Sequence, residues 1–415
     1  MKKITFAILG MGNRGGVFAR NLKQYTEQVE ITAIADPWQS CLDTANGYLH
    51  LPEDRLFHSA EELLAQPKLA DVMVVATQDA QHRDHAIAAM EKGYDLILEK
   101  PISNKLEEVK EIEETALRLG RKIVVGHELR FTTFYRKVKE LLDSGAVGRI
   151  LHLEAAEYVS CLHMAHAYVR GHWRRKDESS PIILAKCSHD MDLILWLTGK
   201  KCLSVTSVGS LDYFNKDNMP KGAPERCTDG CPAADTCIYH SLNFYLPRIP
   251  KWPTCNMHPA PNEENIREII DTTRYGRCVF RMDNDVVDHQ AVQMLLEDNI
   301  TVTFNMNAFH TRATRTIRVG GTEGELWGDL NDQKLYLQKH GQPLQELDLS
   351  EEVGTGGHQG GDPALVKAAV AYFGGDENIP SLTTIERSAE SHYVAFAAEE
   401  SRLHCGEKVT MKDFM

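Results

Sequence analysis

Gly10-Met11-Gly12-Asn13-Arg14-Gly15 has the spacing of a turn that cradles a pyrophosphate. Gly10 permits a tight turn, Gly12 lets the backbone approach a phosphate, and Gly15 lets the following helix sit close to its strand. A short apolar run (residues 3–9) precedes the turn, and Val17, Ala19, Leu22 and Tyr25 follow it at near-helical spacing. A second apolar run (residues 31–35) ends at Asp36-Pro37, and Asp36 lies 21 residues after Gly15. A carboxylate at that offset accepts hydrogen bonds from the hydroxyls of an adenosine ribose. A 2′-phosphate there would meet like charge, so the pattern favours NAD(H) over NADP(H). The helix start adds free N–H groups and a partial positive charge for the phosphates.

The elements that must hold this turn continue along the chain. Ser59 and Glu62 form a capping-box pattern before Leu63 and Leu64. Residues 71–77 read as a buried strand and 82–92 as a helix stopped by Gly93. A strand at 96–98 leads into Glu99-Lys100-Pro101, a helix spans 104–119 before Gly120, and a strand at 123–125 ends at Gly126-His127. Strands alternating with helices predict a doubly wound parallel sheet, with ligands beyond the carboxyl ends of its strands. Gly10, Asp36, Thr77, Gln78, Glu99, Lys100 and His127 all fall at such ends and therefore around one crevice.

The whole chain has 415 residues, 59 acidic and 46 basic, for a formal net charge of −13, with 42% apolar and 25% charged residues. This is a globular composition, too long for one core, so two or three domains are expected. The acidic balance argues against nucleic acid and against an anionic membrane surface as partners. No apolar run approaches the ~20 residues of a membrane helix. The apolar start is interrupted by Gly10 where a signal peptide would continue, which predicts a cytoplasmic protein whose ten cysteines are reduced thiols or metal ligands.

These residues resemble the Gfo/Idh/MocA family, named for glucose–fructose oxidoreductase and inositol dehydrogenase. The resemblance rests on the Gly10–Gly15 turn, Ala76-Thr77-Gln78-Asp79 with His82, Glu99-Lys100-Pro101, and Gly126-His127 leading to Arg130-Phe131. Further on stand His189-Asp190-Met191-Asp192 before Trp196, Gly320-Gly321-Thr322-Glu323-Gly324, and Gly361-Asp362 before the last helix. They are in family order and span nearly the whole chain. The resemblance implies an α/β protein: a Rossmann domain over 1–128 and, over 129–415, a second α/β domain on an open, mainly antiparallel sheet. It also implies NAD bound along Gly10, Met11, Gly12, Asn13, Arg14, Gly15, Asp36, Thr77, Gln78, His82, Glu99, Lys100 and His127. Hydride transfer to or from a sugar or polyol follows, often in a homodimer or homotetramer.

The chemistry of that transfer selects two side chains. Oxidising a secondary alcohol removes the hydroxyl proton, a task for a histidine, and His189 opens an apolar helix after Ile182-Ile183-Leu184. An ammonium near the same oxygen lowers the alcohol pKa, a role that fits Lys100. The family pattern places an aspartate four residues before the histidine; here that residue is Ala185, with Lys186 three before. Lys186 is therefore a further candidate for binding or proton transfer, suited to an anionic substrate or an enolate. Asp190 and Asp192 are candidate orienting partners of His189.

From Ile150 strands and helices no longer alternate strictly: 150–159, 205–211, 277–282, 292–296, 300–304 and 317–319 read as strands. Arg130 and the run Tyr168-Val169-Arg170-Gly171-His172-Trp173 offer donors and aromatic faces for a sugar, with Tyr168, Arg170, His172 and Trp173 as candidate contacts beside His189. Lys100, Lys186, Arg130, Arg170, Arg174 and Arg175 together suggest a basic site inside an acidic shell. The segment 213–262 is an insertion with 8 of the 16 prolines and 4 of the 10 cysteines. Its Cys227-x₃-Cys231-x₅-Cys237 and Cys255 supply either the ligands of a structural zinc or four free thiols.

Two activities fit. One is an NAD-dependent dehydrogenase of a sugar, glycoside or polyol, acting at a secondary hydroxyl, C3 in the preferred reading. The alternative is a redox-neutral NAD-dependent glycosidase: oxidation at C3 acidifies the C2 proton, the C1 group is eliminated, water adds, and the ketone is reduced again. Lys186, Tyr168 and His172 are its extra proton-handling candidates.

Overall fold

A computed structural model describes residues 3–415. Its first sheet is six-stranded and wholly parallel: β1 (Ile4–Leu9), β2 (Val29–Ala35), β3 (Leu56–Phe57), β4 (Val72–Val75), β5 (Asp95–Leu98) and β6 (Ile123–Val125). Their spatial order, β3-β2-β1-β4-β5-β6, is that of a Rossmann fold. β1 and β4 are buried on both faces, which explains why they read as continuous apolar runs rather than alternating ones. Helices Asn13–Leu22, His82–Glu91 and Leu106–Leu119 cover them, the last closed by Gly120 at φ +60°.

The second sheet has nine strands. It adds β7 (Ile150–Ser160), β8 (Cys202–Ser210), β9 (His289–Leu296), β10 (Thr301–His310), β11 (Thr314–Gly321), β12 (Gly324–Asp329), β13 (Lys334–Lys339), β14 (Gln345–Asp348) and β15 (Val409–Thr410). The order is β14-β13-β12-β11-β7-β10-β9-β8-β15; only β7 and β10 pair in parallel. The expected strand at 277–282 does not form. Its backbone pairs briefly with Glu225 and Cys227, and Val279–Arg281 makes one turn of 3-10 helix that buries Phe280 against Phe214 and Tyr239.

The chain returns to the first domain near its end. Helix Gly361–Phe373 buries Leu365, Val366, Ala369 and Val370 in the core formed by Phe6, Ile8, Val72 and Val74. Thr383 then closes the edge of β6: its carbonyl accepts from Val125 N, and its hydroxyl donates to the Val125 carbonyl at 2.6 Å. Among the described residues, no helix is long and apolar enough to cross a membrane.

Candidate active site

The glycine turn has the shape its sequence predicts. Gly10 lies at φ +86°, and a Cβ there would stand 2.4 Å from the Ala76 carbonyl oxygen. A Cβ on Gly15 would meet the Gly10 carbonyl at 1.8 Å, whereas one on Gly12 would find nothing within 4 Å. Open space over Gly12, at a helix start, is what a pyrophosphate requires, so these residues fit NAD. Asp36 ends β2 beside the turn and accepts from the N–H groups of Met11 (2.7 Å) and Trp38 (2.9 Å).

Behind the turn the loops at the strand ends are tied together. His82 is buried, with Nδ1 2.8 Å from the Pro101 carbonyl and Nε2 3.1 Å from that of Thr77, so it joins the β4 and β5 loops. Thr77 bonds His85 through its hydroxyl (2.9 Å), and Gln78 starts the turn Asp79–Gln81. Arg14 donates from Nε to Glu99 (2.6 Å) and from Nη1 to Asp362 (2.9 Å); Asn13 donates to Asn256 of the insertion at 3.0 Å.

Lys100 leaves β5 and donates from Nζ to the Ala185 carbonyl at 3.0 Å. Burial pushes its ammonium below the ordinary lysine range; Glu99 and Glu128 pull it back up, and neighbouring Lys186 pushes it further down. His189, at the start of helix Ser188–Thr198, has Nδ1 3.4 Å from Nδ1 of His127 and Nε2 3.4 Å from Oε1 of Glu128. Burial, with Lys100 and His127 nearby, holds its pKa well below the usual imidazole value, so the ring is a neutral base at neutral pH. Glu128 is the carboxylate that faces the His189 ring.

Lys186 stands 3.6 Å from Glu157, which also pairs with Arg315 at 2.6 Å. His163 faces this group. Its pKa is well below normal through burial and the Lys186 charge, and its ring packs against Tyr168 and Trp252. Tyr168 stacks on Trp173, which packs on His172 at 3.8 Å between ring centres. Burial lowers His172 to about 4 and holds the Tyr168 phenol well above its normal pKa. Lys100, Lys186, His163, Tyr168, His172 and His189 thus form one cluster of interacting groups, with Trp252 packed against His163.

Several expected contacts have other partners. Asp190 pairs with Arg315 (2.8 Å) and Asp192 with Arg130, so neither orients His189. Arg130 donates from Nε to Asp192 at 2.6 Å, with a second, short contact from Nη2. Arg170 is wholly buried and donates to the carbonyls of Arg277 (2.8 Å) and Tyr239 (2.9 Å). Arg174 is held by Glu178 and Asp283, and Arg175 by Asp177. Arg130 and Arg170 are buried and bond acceptors inside the protein, whereas Arg174 and Arg175 pair with carboxylates near the surface. The basic site is therefore narrower than expected: two lysines amid neutral histidines.

The zinc set is also corrected. Cys227, Cys231 and Cys237 line a small void with Cys278, while Cys255 is exposed beside Asn256. Arg170 Nη2 lies 3.5 Å from Cys227 Sγ, placing a cation where the metal would be. Among the described residues, the only His, Cys, Asp and Glu atoms grouped closely enough for an ion belong to Glu128, His358 and Asp362. There the Arg14 guanidinium already neutralises the carboxylates.

Glu128, His163 and His358 are the site residues that sequence reasoning missed. Glu128 had a signal, being an acid directly after the β6 carboxyl end. His163 and His358 had none, since folding alone brings them here.

Residues 4–127 match the family model of the Gfo/Idh/MocA oxidoreductases with an NAD-binding Rossmann fold, and residues 135–229 match a Gfo/Idh/MocA C-terminal domain. YteT of Bacillus subtilis (strain 168) is 23% identical over 386 residues, covering 88% of each chain. The 2,7-anhydro-N-acetylneuraminate hydratase of Mediterraneibacter gnavus is 26% identical over 211 residues, 50% of this chain and 53% of that one. The fold is similar to that of scyllo-inositol dehydrogenase from Lactobacillus casei, crystallised with NAD(H) and scyllo-inositol (TM-score 0.66, 18% identity, 99% and 100% coverage). The chain belongs to the Gfo/Idh/MocA family of NAD-binding oxidoreductases.

Proposed function

We propose that this protein transfers hydride between NAD(H) and a secondary hydroxyl, C3 in the preferred reading, of a sugar, glycoside or polyol. The closeness of Lys100 and His189, brought together from separate parts of the chain, with Glu128 against the histidine, carries the reading. NAD, when bound, supplies the hydride acceptor. Lys100 binds the reacting oxygen and favours its anionic form; His189, neutral and buried, takes the hydroxyl proton. Tyr168, His172 and Trp173 form the aromatic and donor wall for the ring. The experiment is to incubate the protein and NAD⁺ with scyllo-inositol, a panel of sugars and aryl glycosides, following NADH and free aglycone together. NADH accumulating with substrate supports the reading; its absence across the panel refutes it.

A second reading is favoured by one observation: Lys186 stands beside Lys100, with His163 and Tyr168 around it. This is more proton-handling chemistry than a simple oxidation requires. A relative named as a hydratase of an anhydrosugar supports it. In this reading Lys186 or His163 removes the C2 proton after oxidation at C3, and the same groups protonate the leaving oxygen at C1. Release of aglycone without net NADH, with solvent deuterium entering at C2, distinguishes it.

A further inference from the structure

We propose that the Trp38 indole is the platform on which the adenine ring of NAD stacks, a contact that Asp36 alone does not supply. The inference rests on the NAD binding that the family carries and not on the hydride transfer. The chain has five tryptophans. Trp173 stacks on Tyr168, Trp196 lies under Arg130, Trp252 packs on His163 and Trp327 stacks on Tyr336. Trp38 has no ring or cation against it among the described residues, and it is 70% exposed. Tryptophan is highly buried on average. Singly exposed apolar residues are common, so the position of this one, rather than its exposure, points to a ligand.

That position is fixed by the backbone. Trp38 N–H donates to Asp36 Oδ1 at 2.9 Å. The Trp38 carbonyl accepts from the N–H groups of Cys41 (3.0 Å) and Leu42 (3.3 Å) at the start of helix Gln39–Leu49. Leu42 is fully buried and anchors the helix. The root of the indole is therefore tied to the carboxylate assigned to the adenosine ribose, at the carboxyl end of β2.

The chemistry of the cofactor supplies the partner. Adenine is bonded to C1′ of its ribose, next to the carbon that carries the 2′-hydroxyl. A ribose held by Asp36 therefore brings the base to the residue whose amide is bonded to the same carboxylate. The polar atoms of adenine lie on its edges, which leaves a flat face that an aromatic ring covers best. Indole is the widest such ring, and holding it in place orders only two torsions. The run Pro37-Trp38-Gln39-Ser40 holds no lysine or arginine, so no cation in it rewards a 2′-phosphate.

The test titrates the full-length protein with ADP-ribose and with NAD⁺, reading heat and tryptophan fluorescence. ADP-ribose, which lacks the nicotinamide, is expected to quench the wild-type emission. Trp38→Ala is expected to bind both ligands about tenfold more weakly, the scale of one base–aromatic stack, at an unchanged melting temperature. Trp38→Phe keeps a ring, so it is expected to hold affinity within about threefold of wild type while losing the quench. Wild-type ADP-ribose affinity in W38A, a loss in W38F as large as in W38A, or a full quench in W38F overturns the stack alone. If the wild-type protein binds neither ADP-ribose nor NAD⁺, the cofactor assignment itself falls, and the stack with it.

Discussion

The Lys100 ammonium donates a 3.0 Å hydrogen bond to the backbone carbonyl of Ala185, four residues before His189. The acceptor at that point is backbone rather than side chain, and Lys186 is the next charged side chain in the chain. Lys100→Met is expected to abolish turnover while NAD⁺ still binds, measured by NADH formation and by calorimetric titration. Activity retained in this variant removes Lys100 from the chemistry.

Lys186→Met removes a positive neighbour that pushes the Lys100 pKa down. Lys100 then titrates at higher pH, so the limb of the kcat/KM profile that belongs to it moves upward. The rate at neutral pH is expected to fall by about tenfold or more, the scale of a lost proton-transfer or charge-stabilising group. An unmoved pH profile would separate Lys186 from the reacting centre.

Gly12→Ala and Gly15→Ala test the cofactor cradle in opposite ways. The Gly12 Cβ meets nothing in the protein, so that variant should keep its melting temperature yet bind NAD⁺ at least tenfold more weakly. The Gly15 Cβ strikes the Gly10 carbonyl, so that variant loses stability first. A Gly12→Ala protein with unchanged NAD⁺ affinity would contradict the placement of the phosphates.

Arg130→Ala leaves the Asp192 carboxylate buried without its partner, at a cost of about 3–5 kcal/mol. Chemical denaturation measures that loss. Replacing both residues with apolar ones of similar volume is expected to recover much of it. If Arg130→Ala instead raises KM with stability intact, Arg130 binds substrate.

Acid should unfold this protein early. Burial is the main reason His166 and His392 titrate at about 3 and His172 at about 4, against an ordinary histidine near 6.5 in the unfolded chain. Their folded pKa values are depressed, so their contribution is fully present above pH ~6.5 and is lost as pH falls towards 4. Near pH 5 the unfolded state holds about three more protons than the folded one, a slope of about 4 kcal/mol per pH unit from these groups. Urea midpoints measured between pH 7 and pH 5 check the sign and the size.

Local order carried the first domain in the sequence. The glycine turn, the buried strands and the helix stops at Gly93 and Gly120 depend on neighbours a few residues away, and their spacing shows it. Lys100 and His189 could be singled out because each sits at the boundary of a recognisable apolar element. Arginine roles were not: Arg130 and Arg170 look like substrate ligands until the fold shows carboxylates and carbonyls waiting for them inside. Cys255 failed as a ligand for the same reason, since a count of thiols carries no information on where a loop turns. Glu128 meets His189 only through the fold, and no periodicity links residues so far apart in the chain.

Helix Gly361–Phe373 begins beside Glu128 and then buries its apolar side in the first domain. The polypeptide therefore crosses to the second sheet after β6, returns after β14, and crosses again to add β15. A clamshell opening of the two sheets would part the apolar core that this helix shares with the first domain. The insertion meets this region at Asn256, which accepts a hydrogen bond from Asn13 of the glycine turn, and at Trp252, which packs against His163. Shortening that segment should therefore change the residence time of the dinucleotide before it changes the rate of the chemical step.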